Sequence, residues 1–162
     1  MWFNLYNYIL SINQRPQALA VIKGSNDYKD INGTVWFYQR QSGVLAVTQV
    51  FGLPKGTIKC DSPIFAFHIH SGTSCTGDEN DYFADSKGHF NPNDCPHPYH
   101  TGDMPPLFSC GGYAFSAFFT DRFTVREIIG KTVIIHSGTD DFTSQPSGNP
   151  GSKIACGVIT AR

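Results

Sequence analysis

Short runs of alternating apolar and polar positions recur along the chain, each stopped by residues that turn a backbone. Period-two alternation, or β-branched and aromatic enrichment, covers residues 18–23, 33–39, 44–51, 64–70, 113–119, 132–136 and 153–159. Between these runs stand Asn32-Gly33, Ser42-Gly43, Leu53-Pro54-Lys55-Gly56, Ser71-Gly72 and Ser137-Gly138. Short strands at this spacing predict an all-β fold, an antiparallel sandwich or barrel. A single helical turn is expected near residues 125–129, ahead of Gly130. Two stretches, 71–112 and 137–152, resist a strand assignment, and loops of that length in a compact domain usually carry function. No repeat or linker interrupts the pattern. It predicts one domain over residues 18–162, preceded by an aromatic extension at 1–17.

Composition narrows the picture. At 162 residues the chain suits a single domain able to bury a real core. Charge is sparse (15%), whereas Gly (16), Pro (10) and Phe (13) are plentiful, a mix that favours strands and turns over long helices. The formal net charge is −1 and the basic residues are scattered, which argues against nucleic-acid and anionic-membrane partners. No stretch is apolar enough to span a bilayer. The apolar start (Trp2, Phe3, Leu5, Tyr6, Tyr8, Ile9, Leu10) lacks a basic n-region and a small-residue cleavage site. It is expected to pack on the domain or on a second copy. The missing signal predicts a cytoplasmic setting, with a periplasmic or secreted one as the alternative if the chain is processed. Five cysteines, Cys60, Cys75, Cys95, Cys110 and Cys156, allow at most two internal disulfides, and none forms a CxxC pair.

The six histidines carry the chemistry. His68 and His70 end an apolar run, and positions i and i+2 of a strand share a face, so both imidazoles can reach one ion. His89 lies in Gly88-His89-Phe90-Asn91-Pro92, and His97, His100 and Asp103 follow within the segment HPYHTGD. Three imidazoles and a carboxylate in one loop suit a tetrahedral zinc site without cysteine. His136 closes another strand and is followed by Asp140 and Asp141, which can hydrogen-bond the far nitrogens of metal-bound histidines. Together these residues predict a dinuclear transition-metal centre.

The order HxH, GHFNP, HxxHxxD, IIHSG resembles the copper/zinc superoxide dismutase family, with matching segments AFHIHSG, GHFNP, HTGDMP, TVIIHSGTDD and GNPGSKIACGVI between about residues 18 and 159. The resemblance implies an eight-stranded antiparallel Greek-key β-barrel with two long functional loops. It implies copper ligands His68, His70, His89 and His136, with His89 bridging to zinc, and zinc ligands His89, His97, His100 and Asp103. It further implies Asp140 linking a copper histidine to a zinc histidine, and a disulfide between Cys75 and Cys156. The implied activity is conversion of two superoxide anions to dioxygen and hydrogen peroxide by alternating copper reduction and oxidation, with His89 passing a proton.

Several features depart from the family pattern. Lys153 stands where the family usually has arginine; it keeps the charge that guides an anion but lacks the planar fork. Only two residues separate His97 from His100, a shortened zinc loop, and residues 142–152 carry no charge, which predicts weaker steering. Cys95 and Cys110 flank the zinc ligands and are expected as a second disulfide, leaving Cys60 as the odd thiol. Against the active dismutase, a homodimer in some family members, stand a catalytically weak or inactive dismutase-like metal-binding protein, a copper-only relative and a metal-dependent hydrolase.

Overall fold

A computed structural model describes residues 15–56 and 63–162. The described residues form eight strands: β1 (Ala18–Gly24), β2 (Asn32–Arg40), β3 (Gly43–Phe51), β4 (Ile64–His70), β5 (Asp103–Phe108), β6 (Ala114–Thr120), β7 (Thr132–His136) and β8 (Lys153–Ala161). All pairings are antiparallel, in the order β5-β4-β7-β8-β1-β2-β3-β6. β3 neighbours β6 and β4 neighbours β7, so the chain crosses between two halves in Greek-key fashion. The terminal strands β5 and β6 follow one another in the chain through a Cys110–Tyr113 bridge, which curls the sheet into a nearly closed barrel.

Seven strands fall where alternation predicts them. β5 does not, because its sequence, Asp-Met-Pro-Pro-Leu-Phe, carries two prolines that cannot donate to a ladder. The sheet order explains the exception: β5 is an edge strand with only β4 as its partner. The helical turn, α1 (Val125–Ile128), starts at Thr124, whose backbone N–H and hydroxyl both donate to the Glu127 carboxylate at 2.7 and 2.8 Å. No helix among the described residues is long and apolar enough to cross a membrane.

The barrel interior is filled by one face of each strand, including Ala20 and Ile22 of β1, Phe37 of β2, Phe65, Phe67 and Ile69 of β4, and Val133 and Ile135 of β7. Period-two geometry then turns Ala66, His68 and His70 to the outside of β4, and Ile134 and His136 to the outside of β7. These outward histidines are nonetheless buried, because the two long loops fold over them. The site is therefore built on rigid strands and roofed by loops.

Cys75 in the first loop is disulfide-bonded to Cys156 of β8, with Cα atoms 5.7 Å apart across 81 residues of sequence. Beside it lie Ile134 and Phe83, a small cluster separate from the barrel core. A Cys75→Ser/Cys156→Ser protein is expected to lose about 4 kcal/mol of stability by loop-closure entropy. Calorimetry should show a melting temperature lower by roughly 10 °C. An unchanged melting temperature would remove the disulfide from the stability account.

The expected second disulfide is not formed: Cys95 and Cys110 are both free thiols. Cys95 is held in the loop between β4 and β5 by the Asn91 side chain, which accepts its N–H (3.0 Å) and donates to its carbonyl (2.8 Å). Cys110 lies beyond the far end of β5, roughly 20 Å of extended chain from Asp103, whereas a disulfide needs Cα atoms within about 7 Å. Flanking the predicted zinc ligands in sequence does not bring the pair together in space. Cys60 and most of the predicted aromatic extension lie outside the described residues. The described end of that extension already follows the barrel, with the Gln17 N–H on the Phe37 carbonyl at 3.0 Å.

Candidate dinuclear metal centre

The β4 end organises the site through its backbone. The Phe90 N–H donates to the Ile69 carbonyl, the Gly102 N–H to the Phe90 carbonyl and the Ile69 N–H to the Gly102 carbonyl, each at 2.8 Å. These three bonds set His89 and Asp103, one residue away on either segment, against the outer face of β4, and His89 forms an isolated bridge with His70. Gly102 permits the close approach, since a Cβ there would strike the Ile69 carbonyl oxygen. His136 arrives from β7 at a register shift between Ile135 and His136, which aims it into the same space.

Two four-residue groups result, His68-His70-His89-His136 and His89-His97-His100-Asp103, the ligand-type atoms within each lying within 4.8 Å of one another. His89 belongs to both. The hydrogen bonds fix which atoms face inward. The His68 Nε2–H donates to Asp140 Oδ2 and the His97 Nε2–H to Asp140 Oδ1, both at 2.8 Å. The His70 Nδ1–H donates to the Lys87 carbonyl at 2.7 Å and the His136 Nδ1–H to the Gly151 carbonyl at 3.4 Å. Carbonyls and carboxylates only accept, so these outer nitrogens carry the protons and the inner nitrogens carry lone pairs.

The inward lone pairs have nothing to bond. His68 Nδ1, His89 Nε2 and His97 Nδ1 are buried without a hydrogen-bond partner, although buried polar atoms are almost always paired. His97 Nδ1 lies 3.1 Å from Asp103 Oδ2 but off any hydrogen-bonding direction. Nε2 of His70 and Nε2 of His136 face each other at 3.3 Å, lone pair to lone pair. On the other side, His89 Nδ1 is 2.8 Å from Asp103 Oδ1 and 3.2 Å from His100 Nδ1. Cations at the two centres resolve all of these contacts. The donor sets fit copper and zinc: four imidazole nitrogens on one side, three nitrogens and a carboxylate oxygen on the other.

Burial keeps the nitrogens free for metal. Loss of hydration, reinforced by His68 and His89, pushes His136 from 6.5 down to about 3. Burial, with His136 and His89 nearby, holds His70 well below its ordinary value. His68 and His100 are also lowered, chiefly by burial. Burial alone would raise Asp140, but hydrogen bonds from His68, the Phe142 N–H and His97 outweigh it and hold it at about 2. For the metal-free protein the sign follows. Histidines depressed on folding take up more protons when unfolded, so stability is full above about pH 6.5 and is lost as pH falls toward 3. The metal-free melting temperature is expected to drop by roughly 5–10 °C between about pH 7.5 and 5.5. A flat profile would contradict buried neutral imidazoles.

Sequence reasoning placed every member of both groups and Asp140, and the structure brings them together. The histidines alone left Asp140 and Asp141 equivalent, and the family resemblance singled out Asp140; Asp141 turns its carboxylate outward to the N–H groups of Thr143 and Ser144 at 2.9 and 2.8 Å. Sequence reasoning missed Arg122, whose Nη1 donates to the carbonyls of Pro98, His100 and Asp103 at 3.1, 3.4 and 3.3 Å and so braces the shortened loop. It missed Gln145, whose side-chain amide brackets His97 by accepting its N–H (3.0 Å) and donating to its carbonyl (2.8 Å). It also missed Gly148, at φ 77°, where a Cβ would fall on the Asp140–His97 contact. Only the glycine left a sequence signal, inside GNPG.

The first group opens onto a cavity of about 680 Å³ lined by His70, His89, His136 and Lys153, among others. Lys153 is thus at the cavity wall, yet its ammonium is engaged, donating to Asp81 Oδ2 at 2.7 Å and to the Phe83 carbonyl at 3.1 Å.

The family model described as copper/zinc superoxide dismutase matches residues 31–159. The chain belongs to the copper/zinc superoxide dismutase family. It is 32% identical to a protein named superoxide dismutase [Cu-Zn] 2 from Aquifex aeolicus, over 83% of this chain and 82% of the relative. It is also 32% identical to a superoxide dismutase [Cu-Zn] from Photobacterium leiognathi, over 78% of each. A second Aquifex aeolicus protein, superoxide dismutase [Cu-Zn] 1, is 33% identical over 78% of this chain and 79% of its own. For a dismutase of this family the barrel, the two loops and the paired ligand groups are the expected architecture.

Proposed function

We propose that the chain is a superoxide dismutase that converts two superoxide anions and two protons to dioxygen and hydrogen peroxide. The observation that carries this reading is His89: it belongs to both ligand groups, its Nδ1 lies 2.8 Å from Asp103 Oδ1, and its Nε2 is buried without a partner. His68, His70, His89 and His136 would hold copper, and His89, His97, His100 and Asp103 would hold zinc. Copper supplies a one-electron redox couple there, and zinc, which has none, supplies fixed positive charge.

The protein's own part is positional and protonic. His68, His70 and His136 keep fixed orientations because each outer nitrogen is already bonded, so the inner lone pairs need no rearrangement. His89 has no such outer anchor, and its Nε2 is the atom that takes up a proton in one half-cycle and gives it to the reduced substrate in the other. Asp140 couples the halves by holding His68 and His97 on a single carboxylate. Lys153, at the cavity wall, would attract the anion.

The full ligand complement favours this reading over an inactive metal-binding relative, and the carboxylate-completed zinc group disfavours a copper-only one. Pairing of two copies is a finer proposal, supported by the exposed Phe108, Phe115 and Phe119 on the outside of β5 and β6. The Cys75–Cys156 disulfide supports an oxidising compartment over a cytoplasmic one. Metal analysis of the purified protein tests the cofactor assignment. Copper and zinc in comparable amounts are expected; a protein that takes up zinc but refuses copper would contradict it.

A further inference from the structure

We propose that Asp81 sets how strongly the copper cavity draws in anions, by pairing with Lys153 and cancelling most of its outward field. The proposal rests on the reading above that this cavity admits superoxide. The Lys153 side chain is only 15% exposed, and Asp81, at 39%, meets it from the cavity rim. Asp81 is itself locked, its Oδ1 accepting the Phe83 N–H at 3.0 Å and its carbonyl accepting the N–H groups of Asp78 and Ala84, each at 3.0 Å. Asp78 in turn accepts the N–H groups of Asn80 and Asp81 at 2.8 and 3.2 Å. The Cys75–Cys156 disulfide then rivets this loop to β8, three residues along from Lys153.

Charge around the cavity points the same way. Asp27, Glu79 and Asp81 face Lys87 and Lys153, three carboxylates against two ammonium groups. An ammonium with a carboxylate oxygen 2.7 Å away presents a dipole to the cavity, and a dipole's field falls off faster than a free charge's. The residue that would guide superoxide is therefore held in place and largely neutralised by the same partner. Asp81→Asn and Asp81→Ser each keep an oxygen able to accept the Phe83 N–H, and the Phe83 carbonyl still holds the ammonium.

The test uses the copper- and zinc-loaded protein. Azide binding is titrated by visible absorption, and kcat/KM for superoxide is measured across ionic strength. Both Asp81 variants are expected to bind azide about 2- to 5-fold more tightly at low salt and to show a steeper fall of kcat/KM with salt. Lys153→Met should weaken azide binding and flatten the salt profile, and Asp81→Asn should gain less on that background. Azide affinity unchanged or weakened in both Asp81 variants would overturn the proposal, as would an equal gain without Lys153. A protein that shows the expected azide shifts yet removes no superoxide would contradict the dismutase reading and leave the pairing intact.

Discussion

His136→Ala is expected to abolish superoxide removal while leaving zinc in place. His136 belongs only to the His68-His70-His89-His136 group, so its loss removes one of four nitrogens there and none from the other centre. Its ring lies outside the barrel core, on the cavity side of β7, and the interior neighbours Val133 and Ile135 keep their packing. The variant should therefore fold. Loss of a partner one step removed from a metal typically costs about 10- to 100-fold, so loss of a direct ligand should exceed about 100-fold in activity. Metal analysis beside a superoxide assay checks both halves of the expectation. Full activity in the variant would reassign the copper ligands, and loss of zinc would show that the two groups are not separable in the way proposed.

Asp140→Asn is expected to weaken both centres from a position that touches neither ion. The native carboxylate accepts two imidazole N–H groups, from His68 and His97, one on each oxygen. An asparagine offers one acceptor and one donor. The imidazole facing the amide nitrogen must switch tautomer, which places a proton on the nitrogen that should face the metal. Affinity for copper, zinc or both should fall about 10- to 100-fold, read by competition with a chelator of known strength. Asp141→Asn serves as the comparison, since Asp141 is spent on the loop amides of Thr143 and Ser144. Equal losses in the two variants would show that Asp140 acts through loop folding and not through its histidines.

How much of this was legible in the sequence depends on the kind of signal. His68 and His70 were legible because period two puts them on one face of β4, opposite Phe65, Phe67 and Ile69, and the structure has them there. His136 was legible only through its company, since one histidine at a strand end says little. β5 was hidden by Pro105 and Pro106, which forbid a central strand but not an edge one. Asp140 and Asp141 are alike as residues; what divides them is that only Asp140 is buried against two histidines.

The carbonyls of Lys87 and Gly151, which orient His70 and His136, have no side-chain signature at all. Lys153 was placed by its motif, but its partner Asp81 lies 72 positions away, and no local rule pairs them. Cys95 and Cys110 show the converse failure. Nearness to the same ligands in sequence suggested a bond that the structure does not form.

The most direct measurement follows superoxide itself. Its ultraviolet absorbance is recorded by stopped flow with the copper- and zinc-loaded protein, and again with protein carrying zinc alone. Decay that is first order in superoxide and proportional to the fully loaded protein, and that falls to the spontaneous rate with zinc alone, is the predicted result. Spontaneous decay in the presence of protein with both ions bound would contradict the assignment of this site to dismutation.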